Sequence, residues 1–318
     1  MSFSFSKKIR TLQLFIACFI FSNSFSQKKE VINLHKDDSV LKQSYLKEAT
    51  TKYNQTINAI IGKNSSDYKK IYEERFKEIS SLLTSTTTIT DKNLNAYLQK
   101  IVKKIVDANP ELQKLDTRVV FTRDDWPNAY SMGDGTIAIN AFLILQMHNE
   151  AELAFTICHE LAHYYLNHGN AAIEKYVETV NSKDFQDELK KIAKEEFKVN
   201  EKAGQLAKTF VFNNRRHSRE KEKEADLQGF VFLLKSGYKV EASKSMLEVL
   251  ENVDDAKLYT PLNLSQSLQF STYPFNTRWI KKESSIFSKV GKDDSTITPQ
   301  EKDSLKTHPD CKKRIAFL

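Results

Sequence analysis

Two histidines four residues apart, with a glutamate after the first, form the pattern in this sequence best suited to chemistry. The chain reads His159-Glu160-Leu161-Ala162-His163, an HExxH pattern, directly after the mostly apolar run 151–158. The run predicts a helix over 150–169, and residues four apart on a helix share one face. His159 and His163 can then present imidazole nitrogens to one metal ion, with Glu160 beside it as a base. The pattern predicts the metal-bearing helix of a zinc hydrolase.

Such a site needs a third ligand, which the charged segment 218–230 can supply. Glu222 and Asp226 are four residues apart, so a helix places both carboxylates on one face. Glu222 would complete a site of two histidines and one glutamate with a position left for water, and Asp226 could accept the N–H of a ligating histidine. Without the HExxH pattern, the alternating glutamates and lysines would be better explained by a solvated helix, and the HExxH pattern reverses this preference.

Two other glutamates of this segment are rival ligands. Glu220 is followed four residues later by Glu224, and Glu224 by Gln228. We favour Glu222 as the ligand because Asp226 follows it at that spacing.

A longer zinc pattern, HExxHxxGxxH, does not fit the chain. It needs a glycine at 166 and a histidine at 169, where the sequence has Leu166 and Gly169. His168 lies one position short of the third histidine of that pattern, and we interpret it as a structural histidine at a helix end.

The amino terminus has the pattern of an export signal. Three basic residues precede the apolar run 12–21, and small residues follow at 22–26. This order predicts a secretory signal peptide over residues 1–26 and an exported protein, periplasmic or extracellular. The apolar run of about ten residues is too short to cross a bilayer core of about 30 Å. Lipid attachment at Cys18 is the less favoured alternative.

Composition excludes several classes of protein. Apolar residues make up 40% of the 318, as in ordinary globular chains. The leader carries three of the 48 basic and none of the 41 acidic residues, so the net charge falls from +7 to +4 without it. Lysines and glutamates are interspersed, which argues against a nucleic-acid-binding patch. The chain after the leader lacks 18 continuous apolar residues, so no transmembrane span is expected there.

The remaining patterns predict an α+β, predominantly helical fold with a small sheet. Residues 27–88 read as an amino-terminal helical region, with a threonine-rich linker at 80–90 that places a domain boundary near 88. A helix should begin at Thr90 or Asp91 and end at Pro110. Strands are expected at 118–122 and 136–140, with a glycine turn at 133–135. The edge of this sheet could accept an extended peptide or be purely structural.

Four segments carry a resemblance to a known family. They are HELAHYYLNHG, SREKEKEADLQG, the carboxy-terminal THPDCKKRI, and NAYSMGDGTI before the metal helix. Together they resemble the HtpX, BepA and CAAX prenyl protease family of zinc metallopeptidases, over roughly residues 90–318. The resemblance implies a zincin-like metallopeptidase domain at 89–318 that binds one Zn²⁺ per chain.

The same resemblance implies roles for individual residues. His159, His163 and Glu222 would be the zinc ligands, Glu160 the general base and Asp226 the residue that orients a ligand. His308 of the His-Pro pair would be a reversible fourth ligand that keeps the enzyme latent until a substrate or an envelope partner displaces it. The chain lacks the transmembrane helices and the appended helical repeats of some relatives, so recruitment through such a domain is not expected.

The expected function is zinc-dependent hydrolysis of internal peptide bonds in envelope proteins, as part of protein quality control. The tetrahedral oxyanion would need a further hydrogen-bond donor, and the candidates are His308, Arg314, His217 and Tyr130. The alternative is a chaperone-like or binding module in which a fourth protein ligand, such as His308, closes a structural zinc site.

Overall fold

The computed structural model describes residues 37–194, 219–253, 264–271, 274–276, 278 and 311–318. All of them belong to one compact unit, Asp37–Leu318. The leader with Cys18, His217 and His308 lie outside the described residues.

The described part of the chain is mostly helical. Its helices are α1 Ser39–Ala59, α2 Ser65–Thr84, α3 Lys92–Ala108, α4 Ala141–Ile144, α5 Glu150–Tyr165, α6 His168–Val180, α7 Lys183–Ala193, α8 over residues 219–235, α9 Ala242–Val253, α10 Leu264–Ser267 and α11 Cys311–Ile315. Helix α3 begins where the sequence predicts, because the Asp91 carboxylate accepts from the backbone N–H groups of Asn93 and Leu94. No helix among the described residues is long and apolar enough to span a bilayer.

Four short strands form one mixed sheet. They are β1 Thr88–Ile89, β2 Arg118–Thr122, β3 Ala129–Ser131 and β4 Thr136–Asn140, in the spatial order β1-β2-β4-β3. The strands β2 and β4 are parallel, whereas β1 with β2 and β3 with β4 are antiparallel. This sheet and the surrounding helices confirm the α+β class, and β3 lies at one edge.

The turn between β3 and β4 depends on two glycines. Gly133 and Gly135 have φ angles of +79° and +98°, in the left-handed region that favours glycine. A Cβ at Gly135 would also lie 2.0 Å from the carbonyl oxygen of Asp116. The predicted glycine turn is therefore confirmed, and it makes β3 and β4 a hairpin.

The threonine-rich segment predicted as a linker is part of the folded unit. Helix α2 extends to Thr84, and β1 follows at Thr88–Ile89. Thr88 is fully buried, and its hydroxyl donates to the carbonyl of Leu82 at 2.6 Å. A run of threonines resembles a loop if their hydroxyl groups are expected to face water. A threonine can lie in a buried strand when its hydroxyl donates to a backbone carbonyl, as it does at Thr88. A domain boundary near residue 88 stays a prediction.

The predicted metal-bearing helix is two helices. Helix α5 ends at Tyr165 and α6 begins at His168, because Asn167 between them has a left-handed φ of 59°. The start of α5 is fixed by the side chain of Asn149, which accepts from the N–H of Glu152. Most of α5 is buried in the main core, including Phe155, Ile157 and Leu161.

Candidate metal centre

Three side chains predicted as ligands converge in the structure. His159 Nε2 lies 3.1 Å from His163 Nε2 and 3.5 Å from Glu222 Oε2, and His163 Nε2 lies 3.3 Å from Glu222 Oε1. The two histidines come from successive turns of α5, and the glutamate comes from α8. Ligands about 2.0–2.1 Å from a tetrahedral zinc ion are about 3.3 Å from each other. The three donors are therefore spaced as one metal ion requires, and they form the metal-compatible cluster found among the described residues.

The close approach of α8 to α5 depends on Gly229. A Cβ at this position would lie 3.0 Å from both the Cα and the backbone nitrogen of His159. Because neither backbone atom can rotate away, glycine is what lets α8 bring Glu222 to the two histidines.

Behind the three donors lies a buried ionic network. Asp226 Oδ1 is 3.0 Å from His159 Nδ1, as expected for a residue that orients this ring. Arg314, from α11, donates to both oxygens of Asp226, and its Nη1 lies 3.1 Å from Glu222 Oε2. Arg314 and Asp226 are both almost completely buried. One arginine thus holds the two carboxylates that face the histidines.

This placement bears on the four candidates for oxyanion stabilisation. The Arg314 guanidinium binds the carboxylates of Asp226 and Glu222, so its N–H groups are directed away from a substrate. Tyr130 lies in β3 and lines the same cavity as Glu160. Burial raises the pKa of the Tyr130 phenol, so its hydroxyl remains protonated and able to donate. Of the candidates that the structure describes, Tyr130 is the better placed.

The charged groups of this network shift one another's pKa values. Burial by itself would lower the pKa of His159, but the carboxylates of Asp226 and Glu222 outweigh it and raise the pKa to about 10. Burial opposes ionisation of Glu222, yet contacts with His159 and His163 hold the pKa of this carboxyl well below its usual range. The pKa of Asp226 is lowered in the same way, chiefly by Arg314. In the metal-free protein His159 is therefore protonated at neutral pH, and its positive charge balances the nearby carboxylates.

His168 lies at a helix end, as interpreted from the sequence, but it also contacts the metal centre through His163. Its Nδ1 lies 3.0 Å from Nδ1 of His163, and its Nε2 lies 3.1 Å from Glu224 Oε2. Burial, followed by the neighbouring His163, lowers the pKa of His168. In an unbroken helix, side chains five residues apart lie on different faces, so the spacing of His163 and His168 does not predict this contact. The left-handed turn at Asn167 changes the direction in which His168 points.

A cavity of about 770 Å³ opens in front of the three donors. It is lined by Glu160 from α5, by Tyr130 and Ser131 of the edge strand β3, and by parts of α6 and α8. Helix α2 contributes Ile71 and Glu74 to the lining. Glu160 is 7% exposed, so its carboxylate is largely shielded yet borders the cavity. The cavity gives a substrate room beside both the donors and a candidate base.

An HExxH helix beside the edge strand of a small mixed sheet is the arrangement of a zincin-like metallopeptidase. The profile of peptidase family M48 matches residues 92–318, most of the chain, and the chain belongs to this family. Membership confirms the resemblance seen in the sequence and implies metallopeptidase activity on a protein or peptide substrate. The match begins with α3, so α1 and α2 precede it. A search of curated proteins found no significant match to the sequence.

Proposed function

We propose that this protein is a zinc-dependent endopeptidase of the HExxH type, with Glu222 as third ligand. The observation that carries the proposal is the convergence of His159, His163 and Glu222 at a cavity that Glu160 also lines. Two imidazoles and one carboxylate are the donor set of a catalytic zinc site, which keeps one position for water or substrate. A site for one Zn²⁺ per chain fits these residues.

The chemistry follows from the groups around the cavity. Zinc in such a site supplies Lewis-acid activation of a water molecule and of the scissile carbonyl. Glu160 accepts the proton of the attacking water and passes it to the leaving nitrogen, so that the amine departs neutral. Tyr130 can donate to the developing oxyanion from the edge strand. Asp226 holds the ring of His159 through Nδ1, which leaves Nε2 directed at the centre.

The substrate binds as an extended strand along β3. This strand pairs with β4 on one side and is the last strand of the sheet. A second cavity, of about 460 Å³, shares Ile71, Glu74, Tyr130 and Ser131 with the first and reaches Met132. A peptide added to the strand edge would therefore continue past the metal centre between β3 and α2, as cleavage of an internal bond requires.

The cellular setting is also part of the proposal. The leader at 1–26 supports export to the periplasm or the outside of the cell, with lipid attachment at Cys18 as the less favoured route. Envelope proteins are then the available substrates, and protein quality control is the corresponding role. The resemblance to exported relatives supports self-inhibition by His308 as a displaceable fourth ligand.

Metal removal tests the proposed function directly. We expect one zinc per purified chain by elemental analysis, and chelator-sensitive cleavage of a casein-type substrate that added zinc restores. His163→Ala should lose both the zinc and the cleavage, whereas the control His148→Ala, which changes an exposed histidine away from the centre, should keep both. Cleavage that survives complete loss of zinc would overturn the proposal.

A further inference from the structure

The two histidine ligands differ in what supports their second nitrogen. Both direct Nε2 at the metal centre, which leaves Nδ1 for an outer partner. His159 Nδ1 faces the carboxylate of Asp226 at 3.0 Å. His163 Nδ1 instead faces a second imidazole, that of His168, at 3.0 Å.

The position of each proton follows from this contact. His163 can offer a lone pair at Nε2 only when its proton is on Nδ1, so Nδ1–H is the donor toward His168. His168 Nδ1 must then be the acceptor, and its own proton is on Nε2. That nitrogen lies 3.1 Å from Glu224 Oε2, which accepts. The hydrogen bonds run in one direction, from His163 through His168 to Glu224.

We propose that His168 and Glu224 are positioning residues that fix the tautomer and ring orientation of His163 for zinc. This inference rests on the proposed zinc site. Helix α8 would then supply the ligand Glu222 together with one outer carboxylate for each histidine, Asp226 directly and Glu224 through His168. Outer partners of this kind hold metal-bound histidines in place and raise their basicity.

His168 is itself held in place. The residue is 7% exposed, and Lys221 Nζ donates to its backbone carbonyl at 3.0 Å. Glu224 is 62% exposed in its side chain, so water screens its contact with His168. The imidazole should therefore contribute more than the carboxylate that supports it.

The experiment measures zinc affinity by competition with a chromogenic chelator, and the visible spectrum of the cobalt-substituted protein. His168→Ala should lower zinc affinity about tenfold or more and alter the cobalt bands. His168→Asn should recover part of this loss, because its amide oxygen can accept near the position of Nδ1. Glu224→Gln should have an effect smaller than about tenfold. The control Glu248→Ala, on the exposed face of α9, should bind zinc as the wild type does.

Thermal unfolding of the metal-free variants separates positioning from folding. If His168→Ala does not fold, His168→Asn and Glu224→Gln decide the matter. Zinc affinity and cobalt spectra equal to wild type in all folded variants would overturn this inference alone. Failure of the wild-type protein to bind zinc would instead overturn the proposed function.

Discussion

Arg314 and Asp226 form a buried, bidentate ion pair that ties α11 to the metal centre. Nε and Nη2 of Arg314 donate to the two Asp226 oxygens at 2.6 and 2.7 Å. The pair joins residues 88 positions apart in sequence, and the same guanidinium also lies beside Glu222. The carboxy-terminal helix is thus part of the structure that orients His159.

Removal of Arg314 should destabilise the whole unit. Arg314→Met breaks the buried bidentate ion pair with Asp226 and leaves both carboxylate oxygens without the guanidinium, so we expect the free energy of unfolding to fall by about 3–5 kcal/mol. Denaturant unfolding of the metal-free protein measures this. Lys312→Met is the matched control, because the Lys312 side chain is 83% exposed. Equal midpoints for Arg314→Met and the control would contradict this account of the network.

A side chain at Gly229 should separate the two helices that form the centre. Gly229→Ala places a methyl group 3.0 Å from backbone atoms of His159, so α8 must move away from α5. We expect a stability loss of about 1–3 kcal/mol and weaker zinc binding, because Glu222 moves with α8. Leu234→Ala, at an exposed position of the same helix, serves as the comparison. Wild-type zinc affinity in Gly229→Ala would show that the close approach is not needed.

Zinc binding should release a proton from His159. The pKa of this residue is raised to about 10 in the metal-free protein, so the imidazole is protonated at neutral pH and must lose that proton to coordinate. The apparent zinc affinity should therefore rise about tenfold per pH unit from pH 7 toward 10, and level off above that. Calorimetry in buffers of different ionisation enthalpy counts the released proton. An affinity independent of pH across this range would refute the assignment.

His308 provides a test between a gated protease and a binding module. If His308 closes the metal site reversibly, His308→Ala should increase casein-type cleavage, and a chelator should abolish it. His148→Ala is again the control, with wild-type activity expected. Absence of cleavage in both the wild type and His308→Ala would favour a closed, non-hydrolytic site.

The sequence predicted those features that depend on local geometry. Strands β2 and β4 lie at the expected residues, because short runs rich in β-branched residues and bounded by turn residues specify short strands. The convergence of His159 with His163 follows from helical spacing within a single element. The sequence also predicts Glu222 as the third ligand, because Asp226 lies four residues later on the same helix, and the structure places Glu222 beside the two histidines.

Features that depend on contacts between distant elements could not be derived in this way. Nothing local in the sequence pairs Arg314 with Asp226, and from the sequence Arg314 is one of four candidates for oxyanion stabilisation. The His168 contact depends on a single left-handed residue, Asn167, which separates α5 from α6. Gly229 matters only because another helix passes 3.0 Å from it.

Substitution of Glu160 by glutamine tests the central claim most directly. Glu160→Gln keeps the size of the side chain and leaves His159, His163 and Glu222 intact, but it removes the base. Zinc content and casein-type cleavage are measured on the same preparation, with Glu248→Ala as the control. We expect one zinc per chain and a loss of cleavage by a factor of at least about 10². Full zinc occupancy with cleavage near the wild-type rate would contradict the account.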